Sequence, residues 1–178
     1  METIEYTTTD KSEWGDGPWQ DEPDKRQWTD PATGLPCLIV RGPMGSLCGY
    51  VGVAKGHPWF EVPYGNVEPD PDVHGGLTFS DSCDEGPENA TVCHIPGPGE
   101  PDNVWWLGFD TGHFMDRSPG QEADMIRIGL NPGYTDYING QKHYRTMEYV
   151  TQEVQRLAEF ASLQRPLGWF GRLRRRQR

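Results

Sequence analysis

One segment of this chain has apolar residues at helical spacing more clearly than any other. It spans residues 143–163, where charged side chains take the other faces and the apolar set is Tyr144, Met147, Val150, Val154, Leu157 and Ala161. Across the 178 residues, 22 glycines and 16 prolines favour turns and short strands over further regular structure. The sequence therefore predicts one late amphipathic helix packed against a sheet.

Short apolar runs predict the strands of that sheet. Residues 35–41 and 47–54 flank a Gly-Pro-Met-Gly-Ser turn and predict a hairpin. Residues 73–79 and 103–109 predict a third and a fourth strand, the last buried on both faces. Since strands and helices do not alternate, we expect an α+β fold: a small antiparallel sheet packed by one long C-terminal amphipathic helix, loop-rich throughout.

Composition divides the chain into three parts. Residues 1–23 predict a flexible acidic N-terminal arm, which Trp14 and Trp19 could anchor to the body. Residues 24–164 predict a single α+β domain, and residues 165–178 an Arg-rich tail. Within the domain, residues 80–102 form an insertion whose glycines and prolines exclude helix and most sheet.

The net charge of −11 is unevenly distributed. Residues 1–159 hold all 27 acidic residues but only 10 of the 16 basic ones, so they carry −17, while the tail carries +6. An acidic body repels phosphate backbones and is not expected to bind nucleic acid. The tail could contact nucleic acid weakly, an anionic membrane surface or an acidic host protein; alternatively, it lies on the acidic body or on a neighbouring subunit.

Location follows from apolar runs and cysteines. No run approaches the roughly 20 apolar residues of a transmembrane segment, and nothing resembles a signal peptide, so we expect a cytoplasmic protein. In that compartment cysteines are expected to be thiols or metal ligands rather than disulfides. They are Cys37, Cys48, Cys83 and Cys93.

Ionisable residues interrupt the apolar runs at two places and define a candidate site. Asp110, His113 and Asp116 follow the fourth strand at three-residue spacing, and His74 lies in the third. Two imidazoles and two carboxylates suit a divalent metal such as zinc, manganese or iron, or an acid–base pair. Asp110, His113 and Asp116 are the catalytic candidates, and His74 completes the metal set. In the alternative interpretation, Asp110 caps a turn and the histidines bond backbone carbonyls.

The same site is a candidate ligand pocket. We expect His74, Trp106, Asp110 and His113 to line it, because strands that end at one sheet edge bring their polar termini together. Glycines beside these residues are typical of bulges or of close approach by backbone or a ligand. They are Gly75, Gly76 and Gly108.

A second candidate metal set lies in the insertion. Cys83, Cys93 and His94 could clip a segment that has little apolar material of its own. Their spacing matches no familiar zinc motif, and the alternative is that each thiol is a small buried hydrophobe.

Several ordered motifs between residues 25 and 163 resemble a family of uncharacterised proteins of tailed bacteriophages and prophages. They include Pro36–Arg41 (PCLIVR), Cys48–Val53 (CGYVGV), His74–Thr78 (HGGLT), and Trp105–Asp110 (WWLGFD) followed by His113 and Asp116. The resemblance implies a non-structural accessory protein acting in an infected bacterium, without implying a mechanism. Family members often have Cys-Ala where this chain has Thr111-Gly112, which argues against a thiol nucleophile there.

These observations favour a phage accessory protein that binds a host bacterial protein or a small ligand, in counter-defence or host takeover. The alternative is a metal-assisted hydrolase or lyase that uses His74, Asp110, His113 and Asp116. A third interpretation is a minor structural or assembly component of the phage particle. A divalent metal is the one cofactor that the residues suggest, and they do not indicate an oligomeric state.

Overall fold

The computed structural model describes residues 3–133 and 142–164, and one sheet organises them. Its strands are β1 (Ile4–Tyr6), β2 (Lys25–Thr29), β3 (Pro36–Arg41), β4 (Leu47–Ala54), β5 (Phe79–Ser82) and β6 (Val104–Asp110). They lie in the order β1-β2-β3-β4-β6-β5, and every neighbouring pair is antiparallel. The tail predicted at residues 165–178 lies outside the described residues.

The expected α+β fold with an antiparallel sheet is confirmed, but the described sheet has six strands rather than four. The β3–β4 hairpin and β6 lie where the apolar runs placed them. β2 was missed because its sequence is largely polar. Lys25 and Gln27 are nonetheless fully buried, since their side chains hydrogen-bond the insertion.

The third strand was predicted wrongly. Residues 73–79 were expected to form it, but β5 starts only at Phe79. Gly75 and Gly76 have φ angles of +68° and +80°, a left-handed backbone that strands do not adopt. The segment around His74 is therefore a turn that leads into the strand.

Two helices follow the last strand in the described residues, α1 (Pro119–Arg127) and α2 (Met147–Ser162). α2 begins at Met147 rather than at residue 143, because Thr146 caps it by accepting a hydrogen bond from the Tyr149 amide. Glu22 accepts a second bond, from the Met147 amide. The buried apolar residues of α2 are Met147, Val150, Val154, Leu157, Ala158 and Ala161.

The two faces of the sheet carry separate apolar clusters. α2 packs on one face, against residues that include Ile39, Val51 and Phe109. Trp106 belongs to the cluster on the other face, and Cys83 of the insertion packs there. This division follows from the alternation of side chains along a strand.

The described part of the N-terminal arm docks on the body. β1 adds an edge strand, and Trp19 is 1% exposed. Asp24, just after the arm, accepts hydrogen bonds from the amides of Thr8 and Thr9. Residues 3–23 therefore lie against the domain, and Trp19 anchors them there.

Cys83 and Cys93 form a disulfide, which corrects the expectation of thiols or metal ligands. The amide of Asp84 bonds the carbonyl of Val92 at 3.2 Å, so the chain folds back and brings the two cysteines together. The argument from cellular compartment did not take this local proximity into account. Cys37 and Cys48 are thiols, and burial raises the pKa of Cys48 to about 11.

None of the helices in residues 3–133 and 142–164 is long and apolar enough to cross a membrane.

Candidate functional site

Asp116 is the centre of the predicted site. Its side chain is 1% exposed, and Oδ2 lies 2.7 Å from Nε2 of His74. Oδ1 accepts a hydrogen bond from Nε of Arg145, also at 2.7 Å. Burial opposes ionisation, but the hydrogen bonds from Arg145 and His74 outweigh it and hold the pKa of this carboxyl below its ordinary value.

His74 connects this carboxylate to α2. Its Nδ1 lies 3.0 Å from the hydroxyl of Tyr149, and its backbone amide donates to Glu153 at 3.1 Å. Tyr149 and Glu153 are one helical turn apart, so one face of α2 holds both the ring and the backbone of His74. Both ring nitrogens thus bond side chains, contrary to the alternative of backbone carbonyls.

His113 completes the group. Its Nδ1 lies 3.4 Å from Oδ2 of Asp116, and its ring centroid lies 5.4 Å from that of His74. The Nδ1 atom is buried without a hydrogen-bond partner among the described residues, although the side chain as a whole is 37% exposed. Gly75 makes this position possible, because a Cβ there would lie 2.2 Å from the His113 ring. The group that approaches this glycine is a side chain, rather than the backbone or ligand that the sequence suggested.

Asp110 lies at the margin of the group. Its Oδ1 is 3.9 Å from Nδ1 of His113, and the same oxygen accepts a hydrogen bond from the Gly112 amide. It thus caps the turn after β6, as the alternative interpretation proposed for this residue, while its side chain stays 38% exposed.

Trp106 is not part of the group. It is fully buried on the opposite face of the sheet, 5.3 Å from the ring of His94. Of the predicted ligand pocket, the structure brings together His74 and His113, places Asp110 beside them, and separates Trp106. An uninterrupted apolar strand does not reveal which of its two faces meets a given neighbour.

Three further residues of this site were missed: Arg145, Tyr149 and Glu153. Glu153 was expected on the polar faces of the helix with the other charged residues, but it is 5% exposed and lies on the buried face with Val150 and Val154. Arg145 lies over the Tyr149 ring, 5.0 Å from its centroid. Nothing in the local spacing of Arg145 linked it to Asp116.

The three central residues can act as metal ligands. One ring nitrogen each of His74 and His113 and a carboxylate oxygen of Asp116 lie within 4.8 Å of one another. An ion among them would replace the His74–Asp116 hydrogen bond, while Arg145 keeps the other carboxylate oxygen. Tyr149 would then accept the N–H from Nδ1 of His74, the outer contact that metal-bound histidines usually make.

The second predicted metal set is also assembled. Donor atoms of Cys83, Cys93 and His94 lie within 4.8 Å of one another, with the two sulfurs joined as a disulfide. His94 is 6% exposed. This set lies beside Trp106, on the face of the sheet away from α2.

The chain matches no known protein-family model, and no curated protein or solved structure is significantly similar to it.

Proposed function

We propose that the protein binds a divalent metal ion through His74, His113 and Asp116, here called the His74 cluster, and uses it in a hydrolase or lyase reaction. The buried Nδ1 atom of His113 carries this proposal. It faces Oδ2 of Asp116 at 3.4 Å, beyond the usual range of an N–H···O hydrogen bond. An unbonded buried polar atom costs about 1–3 kcal/mol, which a bond to a metal would offset.

The surrounding residues suit such a role. A bound divalent ion supplies Lewis-acid chemistry and lowers the pKa of a bound water. Tyr149 orients the His74 ring, and Arg145 balances the charge of Asp116. Asp110, whose carboxylate is 38% exposed, lies near enough to exchange a proton with a substrate beside His113.

A second candidate function is binding of a host protein or a small ligand. Phe114 and Met115 lie between two members of the His74 cluster and are 65% and 39% exposed. Exposed apolar side chains beside a polar site are typical of contact surfaces. Both functions would use the same location.

The biological setting that we propose is an infected bacterium. The motif resemblance supports a phage-encoded, non-structural accessory protein that acts in the host cytoplasm. Counter-defence or host takeover are the roles consistent with that setting. The resemblance supports the origin of the protein in a phage, whereas the His74 cluster supports the proposed chemistry.

Metal binding is the decisive test. Chelator-treated full-length protein with its disulfide intact would be titrated with Zn²⁺ and Mn²⁺ by calorimetry, with elemental analysis of the dialysed product. We expect one ion per chain, and a loss of affinity on the order of tenfold or more in His113→Ala. His57→Ala is the control, because that ring bonds the Ala161 carbonyl at the far end of α2. Equal affinity in His113→Ala and the wild type would refute the proposal.

Activity separates the two functions. With the ion bound, hydrolysis of chromogenic carboxylic and phosphate esters should slow in Asp110→Asn while the affinity for the ion stays nearly unchanged. A protein that binds the ion, hydrolyses none of these esters and retains a host protein through Phe114 favours the binding function. Retention of the host protein is compared between the wild type and Phe114→Ser, a variant that leaves the metal ligands intact.

A further inference from the structure

His94 is buried in a way that needs an explanation. The side chain is 6% exposed, and neither ring nitrogen has a hydrogen-bond partner within residues 3–133 and 142–164. The Pro101 carbonyl lies near the ring but makes no hydrogen bond to either nitrogen. The ring stands edge-on to Trp106 at an interplanar angle of 78°. Buried polar groups in folded proteins are nearly always satisfied, so an orphaned imidazole indicates a ligand that completes it.

The missing ligand has two sulfur donors beside it. Cys83 and Cys93 place their Sγ atoms within 4.8 Å of a ring nitrogen of His94. Trp106 donates its indole N–H toward Sγ of Cys83 at 3.4 Å. An indole N–H stabilises a thiolate more than a disulfide sulfur, because hydrogen bonds to charged acceptors are stronger. The surroundings therefore suit two thiolates and one imidazole.

Contacts other than the disulfide hold these donors in place. Lys25 donates from Nζ to the carbonyl of Cys93 at 2.7 Å and also bonds the carbonyl of Glu88. Gln27 makes two hydrogen bonds with the backbone of Ile95, at 2.7 and 3.0 Å. These buried strand residues fix the backbone on both sides of His94. The amide of Asp84 bonds the carbonyl of Val92 at 3.2 Å and keeps Cys83 opposite Cys93, so cleavage of the disulfide should leave the two sulfurs near the imidazole.

We infer that Cys83, Cys93 and His94 form a second metal site, for zinc or another thiophilic ion, which becomes available when the Cys83–Cys93 disulfide is reduced. A dithiol reductant supplies two electrons and two protons, the S–S bond breaks, two thiols form, and the dithiol becomes a disulfide. Metal binding then releases the two thiol protons. Zinc is usually four-coordinate, so one position remains for water or a further ligand.

This site differs chemically from the His74 cluster and does not depend on it. Thiolates select soft or borderline ions, whereas the His74 cluster offers only nitrogen and oxygen donors. The sites also occupy different faces of the sheet, since His94 packs on Trp106 and His74 packs against α2. An oxidising environment would close one site and leave the other unchanged.

Cobalt titration tests this inference, because Co²⁺ replaces Zn²⁺ and absorbs in the near ultraviolet when thiolates bind it. Full-length protein would be reduced with a dithiol, freed of it anaerobically by gel filtration, and titrated with Co²⁺. We expect a thiolate-to-cobalt band that saturates at one equivalent, fades on addition of Zn²⁺, and is absent from the oxidised protein.

Variants identify the ligands. Cys93→Ser should abolish the band, and His94→Gln should weaken cobalt affinity on the order of tenfold or more. Cys48→Ser and His113→Ala should keep the band, because neither residue belongs to this site. Far-ultraviolet circular dichroism confirms that each variant is folded. A reduced wild-type protein without the band, or a folded Cys93→Ser or His94→Gln variant with wild-type affinity, overturns the inference.

Discussion

At the scale of single residues, the site depends on one glycine. Gly75 has a left-handed backbone, and His113 occupies the space where a side chain would project. The next residue, Gly76, shares the left-handed φ, but a Cβ there would meet no described atom within 4 Å. Substitutions at the two glycines therefore distinguish the effect of a strained backbone from the effect of displacing the His113 imidazole.

Gly75→Ala should disrupt the His74 cluster, whereas Gly76→Ala should not. Each substitution costs about 1–2 kcal/mol for the left-handed backbone. Only Gly75→Ala also drives a methyl group into the His113 ring, which must move away from Asp116. Calorimetric titration with Zn²⁺ should show weaker binding in Gly75→Ala alone. Identical affinities in the two variants would contradict this role for Gly75.

Single residues also show what sequence can reveal about a site. His74, His113 and Asp116 were found because each polar side chain interrupts an apolar run and therefore lies near the edge of a buried element. Trp106 was assigned to the wrong face because both tryptophans of β6 look equally apolar. Arg145 contacts Asp116 across 29 positions, a pairing that only the fold determines.

At the scale of elements, α2 serves both the core and the site. Val150, Val154 and Leu157 are fully buried against the sheet, while Tyr149 and Glu153 hold His74. Close packing of the helix on β4 requires Gly49, since a Cβ there would lie 2.5 Å from Val154. A shift of the helix would therefore move His74 as well.

Leu157→Ala and Val154→Ala should each destabilise the fold by about 1–5 kcal/mol, because each leaves a cavity under the helix. Gln152→Ala, on the exposed side of α2, should change the free energy of unfolding by less than about 0.5 kcal/mol. Urea unfolding followed by circular dichroism measures all three. Equal midpoints for Leu157→Ala and Gln152→Ala would mean that the buried face is assigned wrongly.

Predictability differed among the elements for a physical reason. Apolar side chains are buried at regular spacing in β3, β4, β6 and α2. The strand or helix periodicity of these elements is therefore visible in their sequences. β2 buries Lys25 and Gln27 against the backbone of the insertion, and no hydropathy pattern encodes such hydrogen bonds. β1 is three residues long, and β5 has only partly buried or exposed residues.

At the scale of the whole molecule, a buried charge network joins segments that are distant in sequence. Arg41 of β3 lies within 3.2 Å of carboxylate oxygens of both Glu22 and Asp24, and Lys11 pairs with Asp24 at 2.8 Å. Arg41 also donates to the hydroxyl of Tyr144, just before α2. The network thus fastens the N-terminal arm to the sheet and to the start of the last helix.

This network predicts a loss of stability in acid. Burial of Asp24 opposes its ionisation, but hydrogen bonds from Lys11 and from the amides of Thr8 and Thr9 prevail and lower the pKa of Asp24 below its ordinary 3.8. The ionised carboxylate therefore stabilises the fold above that value, and this contribution disappears as pH falls through the lower folded pKa. Urea unfolding between pH 7 and pH 2 should show a smaller acid dependence in Asp24→Asn than in the wild type. Parallel curves would exclude Asp24 as the source.

Removal of Arg41 should loosen the arm, because Glu22 then loses its cation and Asp24 keeps only Lys11. The guanidinium is fully buried, so Arg41→Met should cost about 3–5 kcal/mol. Arg26→Met is the matched control: that arginine pairs with Glu5 at 25% and 44% side-chain exposure, and such pairs contribute about 0–1 kcal/mol. Limited trypsin digestion should cut at Lys11 faster in Arg41→Met, since the buried lysine becomes accessible once the arm detaches. If both variants unfold and digest alike, Trp19 rather than the charge network holds the arm.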